Sequence, residues 1–232
     1  MKPTRTKQLK VICLALLGVT IAFGAQANLV ADGDFELPVT GPGGLNSGYL
    51  AFGSGATFGG AWLVTGSGNN VVVVPSTEYT TIGGPLIYFV SHGGSQSLDL
   101  TGEFDNGAAM GVQQTIPTVA GQTYSLSFWV GAVTTPDWDG YAGSATINVL
   151  LNGSAFQTAV NSDPGGDATT WKQFSYLFTA TGPTTLAFQN GSPPLGENGL
   201  DDVVVELVPE PAALNLIPLA LLAVCRRRMR KR

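Results

Sequence analysis

Apolar and polar side chains alternate through much of the second half of the chain. In residues 123–132, Tyr124, Leu126, Phe128 and Val130 share one phase, while Thr, Ser and Trp side chains take the other. This period of two is typical of a β-strand that buries one face, and no stretch of useful length has the spacing of an amphipathic helix. Further candidate strands lie at residues 61–64, 71–74, 86–91, 97–100, 110–116, 147–151, 155–160, 174–178, 186–188 and 203–207.

The segments between these candidate strands are rich in residues that favour turns. Asn152-Gly153 separates two of the strands, and this dipeptide supplies the two positive-φ residues of a tight hairpin. Many short strands separated by Gly, Pro, Asn and Ser predict an all-β fold, a two-sheet β-sandwich of the jelly-roll kind. No internal repeat is evident, so we assign residues 28–207 to one domain.

The charged residues are distributed very unevenly along the chain. Of the 11 Lys and Arg residues, only Lys172 lies between residues 28 and 208, and 15 of the 16 acidic residues lie there, which makes the net charge of this body −14. Such a body repels nucleic acids and anionic lipid surfaces. Both cysteines, Cys13 and Cys225, lie outside it, so the body has neither a disulfide nor a thiolate metal site.

The first 27 residues have the layout of a secretory signal peptide. Four basic residues precede an apolar run at 11–22, and the small-residue exit Ala25-Gln26-Ala27 follows it. We expect signal peptidase to cleave after Ala27, so that the mature protein starts at Asn28 and is exported. The alternative is an uncleaved membrane anchor, although the apolar run is short for a bilayer span.

Residues 208–232 form a tail in three parts: Pro209-Glu210-Pro211, an apolar stretch at 212–225 and a terminal Arg-rich cluster. Together these parts closely resemble the PEP-CTERM sorting signal of bacteria that make exopolysaccharide. The resemblance implies a short apolar helix that pauses in the inner membrane and is removed by the membrane protease exosortase. The protein would then be released or re-anchored at the cell envelope, the outer surface or the extracellular matrix. The alternative is an ordinary C-terminal membrane anchor.

A second resemblance spans most of residues 28–207. The opening segment 28–36, which ends in Gly-Asp-Phe-Glu, and the closing segment 199–203 look like those of the galactose-binding-like jelly rolls, as do segments 121–128 and 171–174 between them. This group includes many secreted carbohydrate-binding modules and the choice-of-anchor domains found before PEP-CTERM tails. The resemblance implies the same fold and says more about fold than about function.

The same resemblance implies a structural calcium ion that ties the first strand to the last. Its ligands there correspond to Glu36 and Asp201, with Asp34 and Asp202 as candidate extra ligands. Independently, Asp201 shares the alternation phase of Val203, so we expect its carboxylate to face the apolar interior, where it needs a partner. Calcium binds about six to eight oxygens. The alternative is that Asp201 caps a turn and accepts backbone N–H bonds.

Trp129 is a candidate for binding carbohydrate. It takes the phase opposite to Tyr124 and Phe128, which places it on the outer face of its sheet. In a two-sheet sandwich, the outer face is exposed to solvent or forms a ligand groove. The other tryptophans of the body outside the loops, Trp62 and Trp171, are assigned to core or edge packing.

The loop at residues 136–141 holds a second candidate carbohydrate site. Trp138 and Tyr141 either cover the end of the sandwich or stay exposed as a flat platform for a sugar ring. Asp137 and Asp139 would then accept hydrogen bonds from the sugar hydroxyls. The Asp-x-Asp-Gly pattern also resembles a calcium loop but lacks the remaining ligand positions.

The sequence offers little for catalysis. His92 is the only histidine, the neighbouring Ser91 would face the opposite way in a strand, and no Gly-x-Ser-x-Gly motif occurs. We therefore expect a non-catalytic protein of the extracellular matrix or cell envelope that binds polysaccharide, with neutral glycans favoured. The alternatives are a structural matrix or surface-assembly protein with no sugar site and, with less support, a glycan-processing enzyme.

Overall fold

The computed structural model describes residues 27–80, 86–103, 110–133, 144–163, 167–191 and 197–209. These residues form fourteen β-strands and no helix. In chain order the strands are β1 (Leu50–Gly53), β2 (Thr57–Phe58), β3 (Trp62–Thr65), β4 (Asn70–Pro75), β5 (Tyr79–Thr80), β6 (Ile87–Tyr88), β7 (Gln96–Asp99), β8 (Gly111–Ile116), β9 (Thr123–Ala132), β10 (Ala145–Leu151), β11 (Ser154–Asn161), β12 (Thr170–Thr179), β13 (Thr184–Asn190) and β14 (Asn198–Leu207).

The strands form two six-stranded antiparallel sheets and one short hairpin. The first sheet has the order β1-β4-β7-β14-β9-β12 and the second β11-β10-β13-β8-β3-β2, while β5 and β6 form the hairpin. One cluster of buried apolar side chains lies between the two sheets and draws on both of them. The predicted all-β, two-sheet jelly-roll β-sandwich is therefore confirmed.

Aromatic rings from both sheets and from the N-terminal segment meet in this core. Phe35 stacks on Trp62 at 5.3 Å between ring centroids, and Trp62 tilts against Phe188 at 6.3 Å. Phe188 in turn meets Phe128 edge-on at 5.0 Å. Burial of apolar surface, at about 25 cal/mol per Å², is the main force that holds the sheets together.

The predicted faces of β9 and the predicted hairpin are both confirmed. The even-numbered residues of β9 are buried, whereas the odd-numbered ones from 123 to 129 are half-buried. Asn152 and Gly153 have φ values of 51° and 77° and connect β10 to β11. Local alternation and turn chemistry were sufficient for these elements because neither depends on distant residues.

The N-terminal segment runs beside β14. Asn28 Nδ2 donates to the carbonyl of Val203, and Asn28 Oδ1 accepts the N–H of Val205, both at 2.9 Å. The N–H of Val203 donates to the carbonyl of Gly33 at 2.8 Å. A Cβ at Gly33 would lie 2.1 Å from Val203 O, so this close approach requires glycine. The two ends of the domain are thus joined along one strand.

A β-bulge interrupts β14 between Asp201 and Val204. Asp202, inside the bulge, has φ of 48°, in the left-handed region. Asp201 is paired with Trp129 and therefore lies on the outer face of the sheet, whereas Val203 is buried in the core. The expectation that Asp201 points into the apolar interior with Val203 is therefore wrong, because the extra residue shifts the phase of the strand.

The terminal segments that carry the predicted signals lie outside the described residues, apart from Ala27, Val208 and Pro209. Glu210 and Pro211 are among the residues outside. Within the part of the chain that the structure describes, no apolar helix has the length needed to cross a membrane. The signal peptide, the sorting signal and the domain limits therefore stay predictions.

Candidate functional site

Three aromatic rings form a group on the outer face of the first sheet: His92, Trp129 and Trp171, which we call the aromatic cluster. The imidazole of His92 stacks on the indole of Trp129, with 3.7 Å between ring centroids and 18° between ring planes. Trp171 meets His92 edge-on at 6.1 Å. All three side chains are at least partly exposed. The cluster is therefore accessible to a ligand from solvent.

Strand pairing brings the two tryptophans together. Trp129 lies on β9, and Gly131, two residues later, is paired with Trp171 on β12. Because residues two apart on a strand share a face, Trp171 stands next to Trp129 on the outer face. The sequence predicted that Trp171 packs in the core or at an edge. Trp171 does lie on an edge strand, but its ring belongs to the aromatic cluster.

The Trp171 ring rests against two glycines. A Cβ at Gly131 would lie 2.9 Å from the ring, and a Cβ at Gly199 would lie 3.0 Å from it, so no larger residue fits at either position without a shift. At its other end, Trp171 Nε1 donates to the carbonyl of Val90 at 2.8 Å. The ring is therefore held in one orientation by packing below and a hydrogen bond at its edge.

Asp201 holds the loop that carries His92. Its Oδ2 accepts the N–H groups of His92 and Gly93 at 3.0 and 3.1 Å, and its Oδ1 accepts the N–H of Asp202 at 2.8 Å. Burial raises the pKa of Asp201 to about 7, and the charge of Asp202 adds to this effect, while the N–H donors oppose it. The carboxyl group thus lies beneath the loop and positions the backbone of His92.

Glu36, from the opposite end of the domain, holds the other half of the same loop. Its Oε1 accepts the N–H groups of Ser95 and Gln96 at 2.7 and 3.1 Å, and its Oε2 accepts the Ser95 hydroxyl at 2.7 Å. A Cβ at Gly94 would lie 2.1 Å from Oε1, so glycine is needed where the loop passes the carboxylate. Residues 92–96 are therefore fixed by carboxylates from both ends of the domain.

Asp202 contacts the imidazole directly. Its Oδ2 lies 2.6 Å from His92 Nδ1, and because a carboxylate only accepts, Nδ1 carries the proton of this bond. The two side chains are 28% and 33% exposed, in the order His92, Asp202. The bulge separates the two adjacent aspartates: Asp201 is buried under the loop, and Asp202 stands at the surface beside the aromatic cluster.

This arrangement is suited to binding a ligand that is apolar on one face and rich in hydroxyls at its rim. The rings of the aromatic cluster offer surfaces on which the C–H groups of a sugar can stack, and Asp202 can accept hydroxyl hydrogens.

The four predicted calcium ligands are not gathered around one point. All four carboxylate oxygens of Glu36 and Asp201 already accept hydrogen bonds from the protein. Asp202 is bonded to His92, and Asp34 is exposed. Across the described ranges, no three His, Cys, Asp or Glu side chains are placed so that they could hold a metal ion. Calcium binding at these residues therefore stays a prediction.

The second predicted sugar site lies outside the described residues. Asp137, Trp138, Asp139 and Tyr141 all belong to the undescribed range 134–143. Their role therefore stays a prediction.

Sequence reasoning did not select His92 and Trp171 as binding residues. His92 is a single histidine in a loop, and Trp171 lies in a strand whose partner the sequence does not specify. One local signal was available: Trp171 shares its phase with Gln173 and Ser175, the polar side of β12. That phase identifies the outer face, but not which other rings share it.

No protein-family model matches the chain, and no curated protein matches it. Among solved structures, it is similar to the carbohydrate-binding module TmCBM61 in complex with beta-1,4-galactotriose, with 14% identity, coverage of 78% of this chain and 99% of that one, and a TM-score of 0.47. It is also similar to the CBM22-1 xylan-binding domain from Paenibacillus barcinonensis Xyn10C, with 18% identity, 73% and 98% coverage and a TM-score of 0.40. A family 35 carbohydrate binding module from Clostridium thermocellum gives 10% identity, 68% and 98% coverage and a TM-score of 0.40. These likenesses concern the fold alone.

Proposed function

We propose that this chain is an exported, non-catalytic protein of the cell envelope or extracellular matrix that binds polysaccharide on the outer face of its first sheet. The observation that carries the proposal is the aromatic cluster with Asp202 at its edge. Flat rings next to a hydrogen-bond acceptor match the two kinds of surface that a sugar ring presents, its C–H face and its hydroxyl rim.

The charge of the body favours neutral glycans as ligands. The segment from 28 to 208 has 15 acidic residues and one basic residue, and Asp202 lies at the site itself. An acidic polysaccharide would therefore meet like charge both at long range and at the point of contact. A neutral chain of sugars meets no such repulsion.

Export is supported by the sequence of the two ends. The signal-peptide layout at 1–27 and the three-part tail at 208–232 place nearly all basic residues in segments that processing would remove. Signal peptidase and exosortase are the proposed processing enzymes. Mass spectrometry of the protein from its native host tests this directly: a product that starts at Asn28 and ends near Pro211 is expected, whereas intact Arg232 on protein at the cell surface would contradict exosortase processing.

Binding of neutral oligosaccharides to the purified protein and its variants tests the sugar site. We expect Trp129→Ala to weaken binding about fivefold or more, because loss of an aromatic anchor at the centre of a binding site costs about 1 kcal/mol or more. Trp171→Ala should have a similar effect, and Asp202→Asn a smaller one. Leu177→Ala is the matched control, since Leu177 lies on the same strand as Trp171 and is 65% exposed.

The possible outcomes separate the alternatives. Binding of neutral glycans that both tryptophan variants lose and Leu177→Ala retains would support the site. Binding that survives both changes but is lost in Trp138→Ala would move the site to the loop at 136–141 and contradict a site on the outer face of the first sheet. No binding to any glycan on a broad array would favour a structural matrix protein, and hydrolysis of a polysaccharide would favour an enzyme.

A further inference from the structure

One edge of the first sheet is long and open. β12 runs for ten residues and is paired with β9 without a register shift, whereas on its other side no described strand pairs with it. Asn161 Nδ2 donates to the carbonyl of Thr170 at the start of the strand. From residue 172 onward, no other described backbone group bonds to the outer edge. Within the part of the chain that the structure describes, the outer edge of β12 therefore presents a row of N–H and C=O groups with no partner strand.

This edge lacks most of the features that usually prevent strands from pairing with one another. Proteins protect long edges with prolines, bulges or charged side chains, and β12 has no proline and no bulge. Its single charged side chain is the exposed Lys172, whose Nζ donates to the carbonyl of Val160 on β11 at 3.3 Å and lies 5.3 Å from the centre of the Phe174 ring. Leu177 is 65% exposed.

The strands on this side of the sandwich carry no acidic residue. Strands β8 to β13 contain one charged side chain, Lys172, and the nearest described acidic residues in the chain, Asp163 and Asp167, lie in the connection between β11 and β12. The acidic residues are concentrated elsewhere, in a body of net charge −14. Two such bodies repel each other over most of their surfaces and least of all where β12 lies.

We infer that β12 is a self-association edge, where a second copy of this chain adds its own β12 in antiparallel register across a two-fold axis. Such a contact is self-complementary, because the same unpaired strand stands on both sides, and it would join the two first sheets into one continuous sheet. Half-buried Tyr176 and Phe174, with Phe156 of β11 against Tyr176, supply apolar surface beside it.

The charge pattern argues for a copy of this chain over another partner. A basic partner would be drawn to the acidic faces of the body, and an acidic one would be excluded from all but this edge. A second copy of this chain is acidic, so the acidic faces repel it, and its own β12 offers a strand edge without acidic residues. The contact uses the backbone edge of β12, whereas the rings of the sugar site, Trp129 on β9 and Trp171 at the start of β12, lie on the outer face of the sheet.

Sedimentation of the full chain over a range of concentrations, in mild detergent that shields its apolar ends, tests this inference. We expect a monomer–dimer equilibrium that Leu177→Lys weakens about tenfold or more, because the two-fold contact would place two added lysines on the same face of the joined sheet, where they repel each other. The matched control is Val39→Lys, which adds the same charge at a side chain that is 76% exposed and remote in sequence from β12. This variant should dimerise as the unchanged protein does.

Hydrogen exchange of the β12 amides provides a second measurement that does not depend on the variants. Slower exchange of residues 172–179 at high protein concentration, with no change in the amides of β10, would support the edge contact. A protein that stays monomeric at every concentration would overturn the inference. So would a dimer that Leu177→Lys and Val39→Lys weaken equally, or one in which β12 amides exchange at the monomer rate. None of these results bears on glycan binding, which is measured separately.

Discussion

The imidazole of His92 lies flat against the indole of Trp129, with 3.7 Å between the ring centroids. The contact depends on groups from both ends of the domain, because the loop that carries His92 is held by Glu36 near the N-terminus and by Asp201 near the C-terminus. Small changes at these supporting positions should therefore alter the aromatic cluster without touching its rings.

Removal of the Asp201 carboxylate should loosen the loop. We expect Asp201→Ala to lower the free energy of unfolding by about 1–3 kcal/mol, because the N–H groups of His92 and Gly93 lose their acceptor. Urea denaturation measures this loss, and near-UV circular dichroism reports the environment of Trp129. Asp34→Ala is the control, since Asp34 is exposed. Equal stability of the two variants would show that the loop does not depend on Asp201.

Stability should fall as pH rises from about 5 to 8. Burial raises the pKa of Asp32 and Asp201 to about 7. Burial also raises the pKa of Glu78 to about 8, and the charge of neighbouring Asp99 raises it further. In an unfolded chain these carboxyls titrate near pH 4. The folded state therefore binds more protons between about pH 4 and 8, so its stability is highest below that window and is lost as pH rises through it. Melting temperatures in chelator-containing buffers across this range measure the slope.

Glu78→Gln tests the origin of this slope. Glutamine keeps the shape of Glu78 but not its charge, so the variant should be more stable than the unchanged protein at pH 8 and little different at pH 5. Glu206→Gln, which makes the same substitution on the half-buried end of β14, is the matched control. A melting temperature that rises with pH would contradict both expectations.

Calcium, if it binds at the predicted residues, should raise the melting temperature by several degrees and chelation should reverse this, because a ligand of the folded state stabilises it by mass action. Glu36→Gln and Asp201→Asn should abolish the calcium-dependent shift, whereas Glu78→Gln should retain it. Calcium would also favour the ionised form of Asp201 and so reduce the loss of stability with rising pH. If the melting curves with and without calcium coincide, the predicted calcium site does not exist.

A methyl group at Gly131 should displace Trp171. The added Cβ would lie 2.8 Å from Thr169 and 2.9 Å from the Trp171 ring, so we expect Gly131→Ala to destabilise the fold by about 1–3 kcal/mol. It should also change tryptophan fluorescence and weaken glycan binding. Gly53→Ala, on β1, is the control, because a Cβ at Gly53 would lie no closer than 3.6 Å to a neighbouring atom. Retention of fluorescence and stability in Gly131→Ala would show that the ring has another place to lie.

Elements that depend on near neighbours could be predicted from the sequence. The alternation in β9 identified its buried face, and Asn152-Gly153 identified the hairpin between β10 and β11. The outer-face position of Trp129 followed from the same alternation. The phase of Asp201 could not be obtained in this way, because a single bulge residue, Asp202, reverses the pattern and leaves no clear mark in the sequence.

By itself, the sequence determined that this chain must bury alternating apolar residues in antiparallel sheets and that its body is almost free of positive charge. Only the tertiary structure decided that His92, Trp129 and Trp171 meet at one place, and that Glu36 and Asp201 hold the same loop. The physical reason is that alternation and turn chemistry act between residues a few positions apart. Strand order and register depend instead on how the whole core packs, and they bring together residues that no local pattern connects.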